Sequence, residues 1–438
     1  MKLKLLSAFI ISLLGTYSSY TLAQDDVQNP NAVNQEVPVE VLKNFIDVYH
    51  VIKNNYVDPV DSEKLMRDAM KGMVANLDPH SQFLDKKERD DLMSNINGEF
   101  AGIGVEVQSV EGGLKIIAPI DSTPAFKAGI KAGDIIVKIN DIVLSTLNSP
   151  MEGIKYLKGE PGEKVVLGII RDKTPMSFEM KKEIIKVKTT KTKIIEDKYG
   201  YVKINVFQKD TGKELYESIN RMTKEKKLAG LIIDLRGNPG GLLDEAVNVA
   251  DLFLDNEVVT YTKDRSEYKK YYKAENGQIV RNMPLVVLVD SGSASASEIV
   301  AGALQDHKRA IIIGSRTFGK GSVQNIIEFN DGTALKLTTS RYYTPNGRSI
   351  QARGIDPDVL IDSLSVKNNV ASKSVTEKDL KNHISNDTKN NTVNSDRVDP
   401  EKDYYLYEAI NTLKIMGLSK RWKSKMLLMW KTFKWIPN

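Results

Sequence analysis

The stretch Pro284-Leu-Val-Val-Leu-Val-Asp290, continued by Ser291-Gly-Ser-Ala-Ser-Ala-Ser-Glu298 and then Ile299 to Asp306, decides how this chain folds. An apolar, valine-rich run reads as a buried strand of a parallel sheet. The residues after it are small, and from Ala294 they pass into a helical pattern through Ile299, Val300, Ala303 and Leu304. A tight strand-to-helix turn therefore presents Ser293, Ser295 and Ser297 at the start of a helix. There, free backbone N–H groups and the helix dipole can stabilise an oxyanion beside a hydroxyl. A serine still needs a base to become a nucleophile. The next buried run, Ala310 to Gly314, leads to Phe318-Gly-Lys-Gly-Ser322 and Gln324. A lysine between two glycines can approach another backbone closely, and burial makes it a base by lowering its pKa. The candidate is a serine–lysine hydrolase.

Blander readings compete with each piece. Small residues after a strand are commonly a tight turn with serines capping the helix, and most lysines are solvated. Gly314-Ser-Arg-Thr-Phe-Gly319-Lys320 also matches a phosphate-binding P-loop except at its last position, where Gly321 replaces Ser or Thr. The residues that follow, Ser322 to Phe329, are β-branched and strand-like. A P-loop must instead open a helix, so the nucleotide reading fails twice.

At 438 residues the chain is long enough for two or three domains. Its 41% hydrophobic and 27% charged residues can bury an ordinary core. The net charge of +5 is spread along the chain, which argues against a nucleic-acid surface. With no cysteine, thiol catalysis, disulfides and cysteine metal sites are excluded. No metal site and no cofactor are expected. Lys2, Lys4, the apolar run Leu5 to Leu14 and Thr21-Leu-Ala23 read as an export signal, with an uncleaved membrane anchor as the alternative.

Residues 24–40 are polar, and from Val41 to about Asn97 the apolar positions recur at helical spacing. Asp78-Pro79 breaks that pattern, and His80 beside it reads as a hydrogen-bonding loop residue rather than a catalyst. Residues 98–187 hold short β-type runs and one helical piece near Ser149 to Leu157, a small mostly-β domain. It opens on Gly102-Ile-Gly-Val105, a loop able to offer N–H groups to a peptide's terminal carboxylate while the next strand edge pairs with the peptide. Residues 188–362 are of α/β type. Leu231-Ile-Ile-Asp-Leu-Arg-Gly-Asn-Pro-Gly-Gly241 is a second buried strand ending in a glycine turn, which places Gly240 and Gly241 on the same sheet edge as Ser295. Ser363 to Asp399 has few apolar residues and reads as a flexible linker. Tyr404 to Leu413 reads as a short amphipathic helix. The lysine- and tryptophan-rich end, Arg421 to Asn438, suits a membrane surface, a partner or a packed helix.

Six strings follow one another: Leu77-Asp-Pro-His-Ser81, Gly98-Glu-Phe-Ala-Gly-Ile-Gly-Val105, Leu231-Ile-Ile-Asp-Leu-Arg-Gly237, Gly292-Ser-Ala-Ser-Ala-Ser-Glu298, Gly319-Lys-Gly-Ser-Val-Gln324 and Gly354-Ile-Asp-Pro-Asp358. In that order, from about Val41 to Asp362, the chain resembles the bacterial carboxyl-terminal processing peptidases, or tail-specific proteases. The resemblance implies Ser295 as nucleophile, Lys320 as base and Gln324 as the residue orienting that lysine. It implies an oxyanion hole from Ala296 and from Gly241 or its neighbour Gly240. It also implies a PDZ domain whose carboxylate loop is Gly102, Ile103, Gly104 and Val105. Some members gate activity through a PDZ arginine, and the matching segment Tyr156-Leu-Lys-Gly159 carries Lys158 instead. A lysine lacks the forked guanidinium geometry, so the resemblance does not carry that gate over to this chain.

The expectation is an α+β multidomain protein: signal peptide 1–23, helical N-terminal region 24–97, small β-rich PDZ domain 98–187, α/β catalytic core with a partly parallel sheet 188–362, linker 363–400 and helical tail 401–438. The expected function is an exported, periplasmic or envelope serine endopeptidase acting on proteins with apolar C-termini. A non-catalytic PDZ scaffold or adaptor is the alternative. An adaptor and a membrane contact through the tail are left open. A serine–histidine hydrolase using His307 is a third reading, which the twelve-residue separation from Ser295 disfavours.

Overall fold

The computed structural model describes residues 37–275, 279–361, 398–399 and 402–433, with side chains as far as Leu418. The export signal, nearly all of the expected linker and the side chains of the basic aromatic tail lie outside the described residues. The chain divides into two units, residues 1–69 and 70–438. The first carries the helix Val39–Asn55, none of whose residues is buried, and the start of the helix Ser62–Ala75.

The second unit holds the site, and its core is a six-stranded sheet. Its strands lie in chain order: Thr190–Ile195, Tyr199–Ile204, Gly230–Asp234, Leu285–Val289, Ile311–Gly314 and Val359–Leu360. The first pairs antiparallel with the second, and the rest are parallel. Alternating side chains divide between two faces, as strand geometry requires. One face (Val202, Ile204, Leu231, Ile233, Leu285, Val287) packs on the helices Thr211–Glu225, Leu243–Asp251 and Ala296–Asp306. The other (Tyr201, Ile232, Val286, Leu288, Ile313) is covered by Leu406, Ala409, Ile410 and Leu413 of the helix Tyr404–Phe433. That helix runs well past the Leu413 end expected from the sequence. Its backbone continues through the lysine-rich stretch, where apolar periodicity gave no reason to stop or proceed.

A second, antiparallel sheet lies at the site. The hairpin Ser322–Glu328 and Ala334–Tyr343 pairs with Gln82–Leu84 and with Val258–Asp264, which in turn pairs with Lys269–Lys273. Residues 98–187 include a smaller sheet whose strands run Val105–Val110, Gly113–Pro119, Ile135–Ile139, Lys164–Arg171 and Thr174–Lys181. They close around Leu114, Ile116, Ile136, Ile139, Leu144, Leu167 and Ile169, all fully buried. The chain is thus a mixed helix-and-sheet protein with a partly parallel core, as expected from the sequence.

Candidate active site

Two neighbouring parallel strands bring the small-residue turns together. Gly230–Asp234 leads into Gly237 to Leu242, and Leu285–Val289 leads into the serine turn before the helix Ala296–Asp306. Asn238, fully buried, ties the two turns. Its backbone oxygen accepts from Ala294 N–H (3.0 Å) and Ser297 Oγ (3.0 Å), while its amide nitrogen donates to Ile204 O (2.8 Å). Ser293 Oγ donates to Leu235 O at 2.8 Å. Two of the three serines are therefore buried and engaged with backbone carbonyls. Ser295 is half-buried, at φ +54° and ψ −114°. A serine in that left-handed region is strained and held there by its surroundings.

Gly240 makes the arrangement sterically feasible. Its φ is +99°, and a Cβ there would lie 2.6 Å from Ala294 O and 2.7 Å from Ser295 Cβ. Its N–H donates to Asn238 Oδ1 at 2.9 Å, so that donor is already engaged. The N–H groups of Gly241 and Ala296 have no acceptor among the described residues. Both Gly241 and Ser295 line the same cavity.

Glu298 joins the serine turn to the lysine loop. This fully buried carboxylate accepts from Ser295 N–H (2.8 Å), Lys320 N–H (2.9 Å), Gly319 N–H (2.7 Å) and Thr317 Oγ1 (2.6 Å). Burial pushes its carboxyl up, against the pull of those four donors. The Ser295-x-x-Glu298 spacing is a capping-box signature legible in the sequence, although it was read there only as part of a motif.

A cavity of about 550 Å3 opens over these residues, lined by Ser295, Lys320, Gln324, Lys336, Tyr342, Gly241 and apolar side chains including Leu92, Ile96, Phe207 and Ile326. Burial pushes the Lys320 amine below the ordinary lysine range; Lys336 adds to the fall, while Asp78 and Glu298 oppose it. Gln324 donates from its amide nitrogen to Ser322 Oγ (3.0 Å) and Thr338 Oγ1 (3.1 Å). No hydrogen bond joins Gln324 to Lys320 or Ser295 to Lys320 among the described residues. The buried Tyr342 hydroxyl instead donates to Lys320 O and meets the Ser295 side chain.

Asp78 belongs to the same neighbourhood. It accepts from Ser81 Oγ (2.6 Å), from His80 and Ser81 N–H (2.8 and 2.9 Å) and from Thr338 Oγ1 (3.2 Å). Burial works against ionisation there, but those bonds outweigh it and hold the carboxyl low. His80 sits close enough to Lys320 that the lysine helps burial to lower the imidazole pKa. His307 is elsewhere. It caps the far end of the helix that Ser295 begins, roughly 18 Å along the axis, with Nε2 2.7 Å from Val258 O.

In the smaller sheet, Val105–Val110 is an edge strand with one neighbour, so its outer edge is open to an added strand. Ile103 is buried, and its carbonyl accepts from Ala125 N–H at 2.9 Å. Gly104 has φ +80°, and a Cβ there would strike Thr123 at 2.4 Å. Gly102 lies opposite Lys158 across an isolated bridge, and Gly159 N–H donates to Ala101 O at 3.2 Å.

A carboxy-terminal-processing protease of Bartonella bacilliformis is 38% identical over 420 residues, which are 93% of this chain and 95% of that one. A model of peptidase family S41 matches residues 198–361. The chain belongs to peptidase family S41. It is a serine peptidase and carries a PDZ domain, whose model matches residues 101–181. A model of the N-terminal domain of the activating protease CtpB matches residues 9–88 of the peptidase. A probable CtpA-like serine protease of Staphylococcus aureus is 34% identical to it over 82% of this chain and 72% of its own. Among solved structures, the photosystem II D1 C-terminal processing protease is 28% identical at a TM-score of 0.44, covering 76% of the peptidase and 96% of itself. Among the described residues of the peptidase, no acidic, histidine or cysteine cluster could hold a metal, and no helix is long and apolar enough to cross a membrane.

Asn238, Glu298, Tyr342, Lys336 and the Asp78–Thr338 link were not singled out from the sequence as site residues. Only Glu298 carries a local signal. Lys336 and Tyr342 reach the cavity from a strand far along the chain, while Asn238, Asp78 and Thr338 hydrogen-bond behind its lining.

Proposed function

We propose that the chain is an exported serine endopeptidase that binds the free, apolar C-terminus of a protein substrate through its PDZ domain and hydrolyses peptide bonds with Ser295 and Lys320. The observation that carries this reading is Ser295, held at positive φ on a helix N-terminus, in one largely apolar cavity with a lysine that burial drives toward the neutral form. Ser295 Oγ attacks the scissile carbonyl carbon while the neutral Lys320 amine takes its proton. The N–H groups of Gly241 and Ala296 receive the resulting oxyanion. Collapse breaks the C–N bond, and the leaving amine takes the proton from Lys320. Water, deprotonated by the same amine, then hydrolyses the acyl-enzyme. Gln324 Oε1 has no donor among the described residues and is the atom that would accept from Lys320.

Substrate selection falls to Gly102, Ile103, Gly104 and Val105, which would take the terminal carboxylate while the open edge of Val105–Val110 pairs with the peptide. In this reading residues 98–187 are the PDZ domain, 188–362 the protease core and 1–23 the signal that sends the enzyme to the periplasm or envelope. The tail after Lys420 is where an adaptor or a membrane surface would be met.

The test uses residues 24–438 and the Ser295→Ala variant with an unfolded reporter bearing an apolar tail or the same tail ending in two aspartates. Cleavage of the apolar-tailed reporter alone, absent in the variant, is expected. Equal cleavage of both reporters would remove the C-terminal selection, and activity in Ser295→Ala would remove the nucleophile.

A further inference from the structure

Two side chains in the site cavity are charged types, Lys320 and Lys336, and no carboxylate lines it. Lys336 makes no ion pair or side-chain hydrogen bond with any described residue. Its position is nevertheless fixed. It is the third residue of Ala334–Tyr343, with Ile326 as its partner on one side and Gln82 on the other. The register also places Gln324 opposite Thr338, two residues from Lys336, so Gln324, Ile326, Lys336 and Thr338 share one face of the hairpin. A strand bonded on both edges fixes the backbone from which this side chain reaches the cavity. Lys336 is half-buried and shares the cavity with Ile96, Ile326 and Phe207.

We propose that Lys336 is a positioning residue that acts on the reaction through Lys320, its charge disfavouring a second charge on the neighbouring amine and so keeping that amine free to accept the Ser295 proton. The inference rests on the reading of Lys320 as base. A cationic neighbour is a recognised way to make a lysine reactive near neutral pH. The other titratable groups around Lys320 are Asp78 and His80 from the turn at 77–81, Glu298 from the helix Ala296–Asp306 and Tyr342 from the hairpin. Both carboxylates favour the ammonium form, so desolvation works against them. Each accepts from four donors, and neither is hydrogen-bonded to the Lys320 amine among the described residues. Lys336 is the like charge that adds to desolvation, the larger cause. Tyr342 is buried and held neutral, with burial pushing its hydroxyl pKa well up, and His80 is lowered, so neither supplies that charge near neutral pH.

The experiment measures kcat/KM against pH for the full chain and for Lys336→Met, Lys336→Gln and Lys336→Arg, with the apolar-tailed reporter and thermal melts of each protein. The acid limb of kcat/KM reports the base in the free enzyme. Removing the charge is expected to move that limb up by about one pH unit, a loss of roughly tenfold on its acid side that is recovered at high pH. Lys336→Arg is expected to keep the wild-type limb. An acid limb left in place in a folded Met or Gln variant overturns the proposal. So does a change confined to KM, which would make Lys336 a substrate contact. Lys320→Ala, run in parallel, separates the two readings: wild-type activity there would sink the assignment of the base itself, whatever Lys336 does.

Discussion

On the proposed reading Lys320 works only as a neutral amine. Because burial lowers its pKa, kcat/KM should rise with pH along a limb lying below the ordinary lysine value of about 10.4. The same shift has a stability sign. Between the folded pKa and the unfolded one the native state binds fewer protons, so stability contributed by this group grows as pH rises through that window. A pH–rate profile with its acid limb near 10 would count against a buried base. In the same assay His307→Ala should leave kcat/KM within about twofold, since its ring bonds to Val258 O at the far end of the helix. Ser295 and Lys320 could be nominated from the sequence because each sits in a short string of small residues, and Gln324, on a β-branched run, only from the family resemblance. Lys336 and Tyr342 could not. They lie on an ordinary alternating strand, and only its pairing brings them to the cavity.

The turns matter as much as the side chains they carry. Gly240→Ala places a Cβ against Ala294 O and Ser295 Cβ at a positive φ, so it must displace the serine turn or the Gly240-Gly241 turn. A fall of at least a hundredfold in kcat is expected, with KM and the far-ultraviolet spectrum little changed; activity within a few-fold of wild type would mean that the turns are not held as closely as described. The strands Leu285–Val289 and Gly230–Asp234 were legible because they are buried on both faces and read as unbroken apolar runs. Ala334–Tyr343 was not singled out, since its Lys, Thr, Ser and Arg residues face the site and the solvent rather than a core. Gln82–Leu84, three residues long, has no period to read.

Across the fold, the core sheet is closed on one face by three crossover helices and on the other by a helix from beyond residue 400. Arg236, just before the turn that carries Gly240 and Gly241, pins that last helix. It donates to Asp234 at 2.6 to 3.1 Å and to Asp403 at 2.8 and 2.9 Å. Burial raises the Asp403 carboxyl, but the bonds from Arg236 outweigh it and hold it low. Its contribution is therefore present at neutral pH and lost as pH falls through the lowered pKa. Asp403→Asn should cost about 3 kcal/mol at pH 7 in denaturant melts, with the difference from wild type closing in acid. A constant difference across pH would show that charge plays no part. Apolar spacing revealed where this helix begins, but which face of the sheet it covers depends on a chain-distant docking that no local pattern encodes. Ile361, before the expected linker, and Leu406, after it, belong to one core cluster. The continuity of the backbone between them is thus not what holds them together. A chain severed by an engineered cut between 363 and 397 should persist as two polypeptides that co-elute and retain activity, the shorter one acting as a tightly bound subunit of the longer.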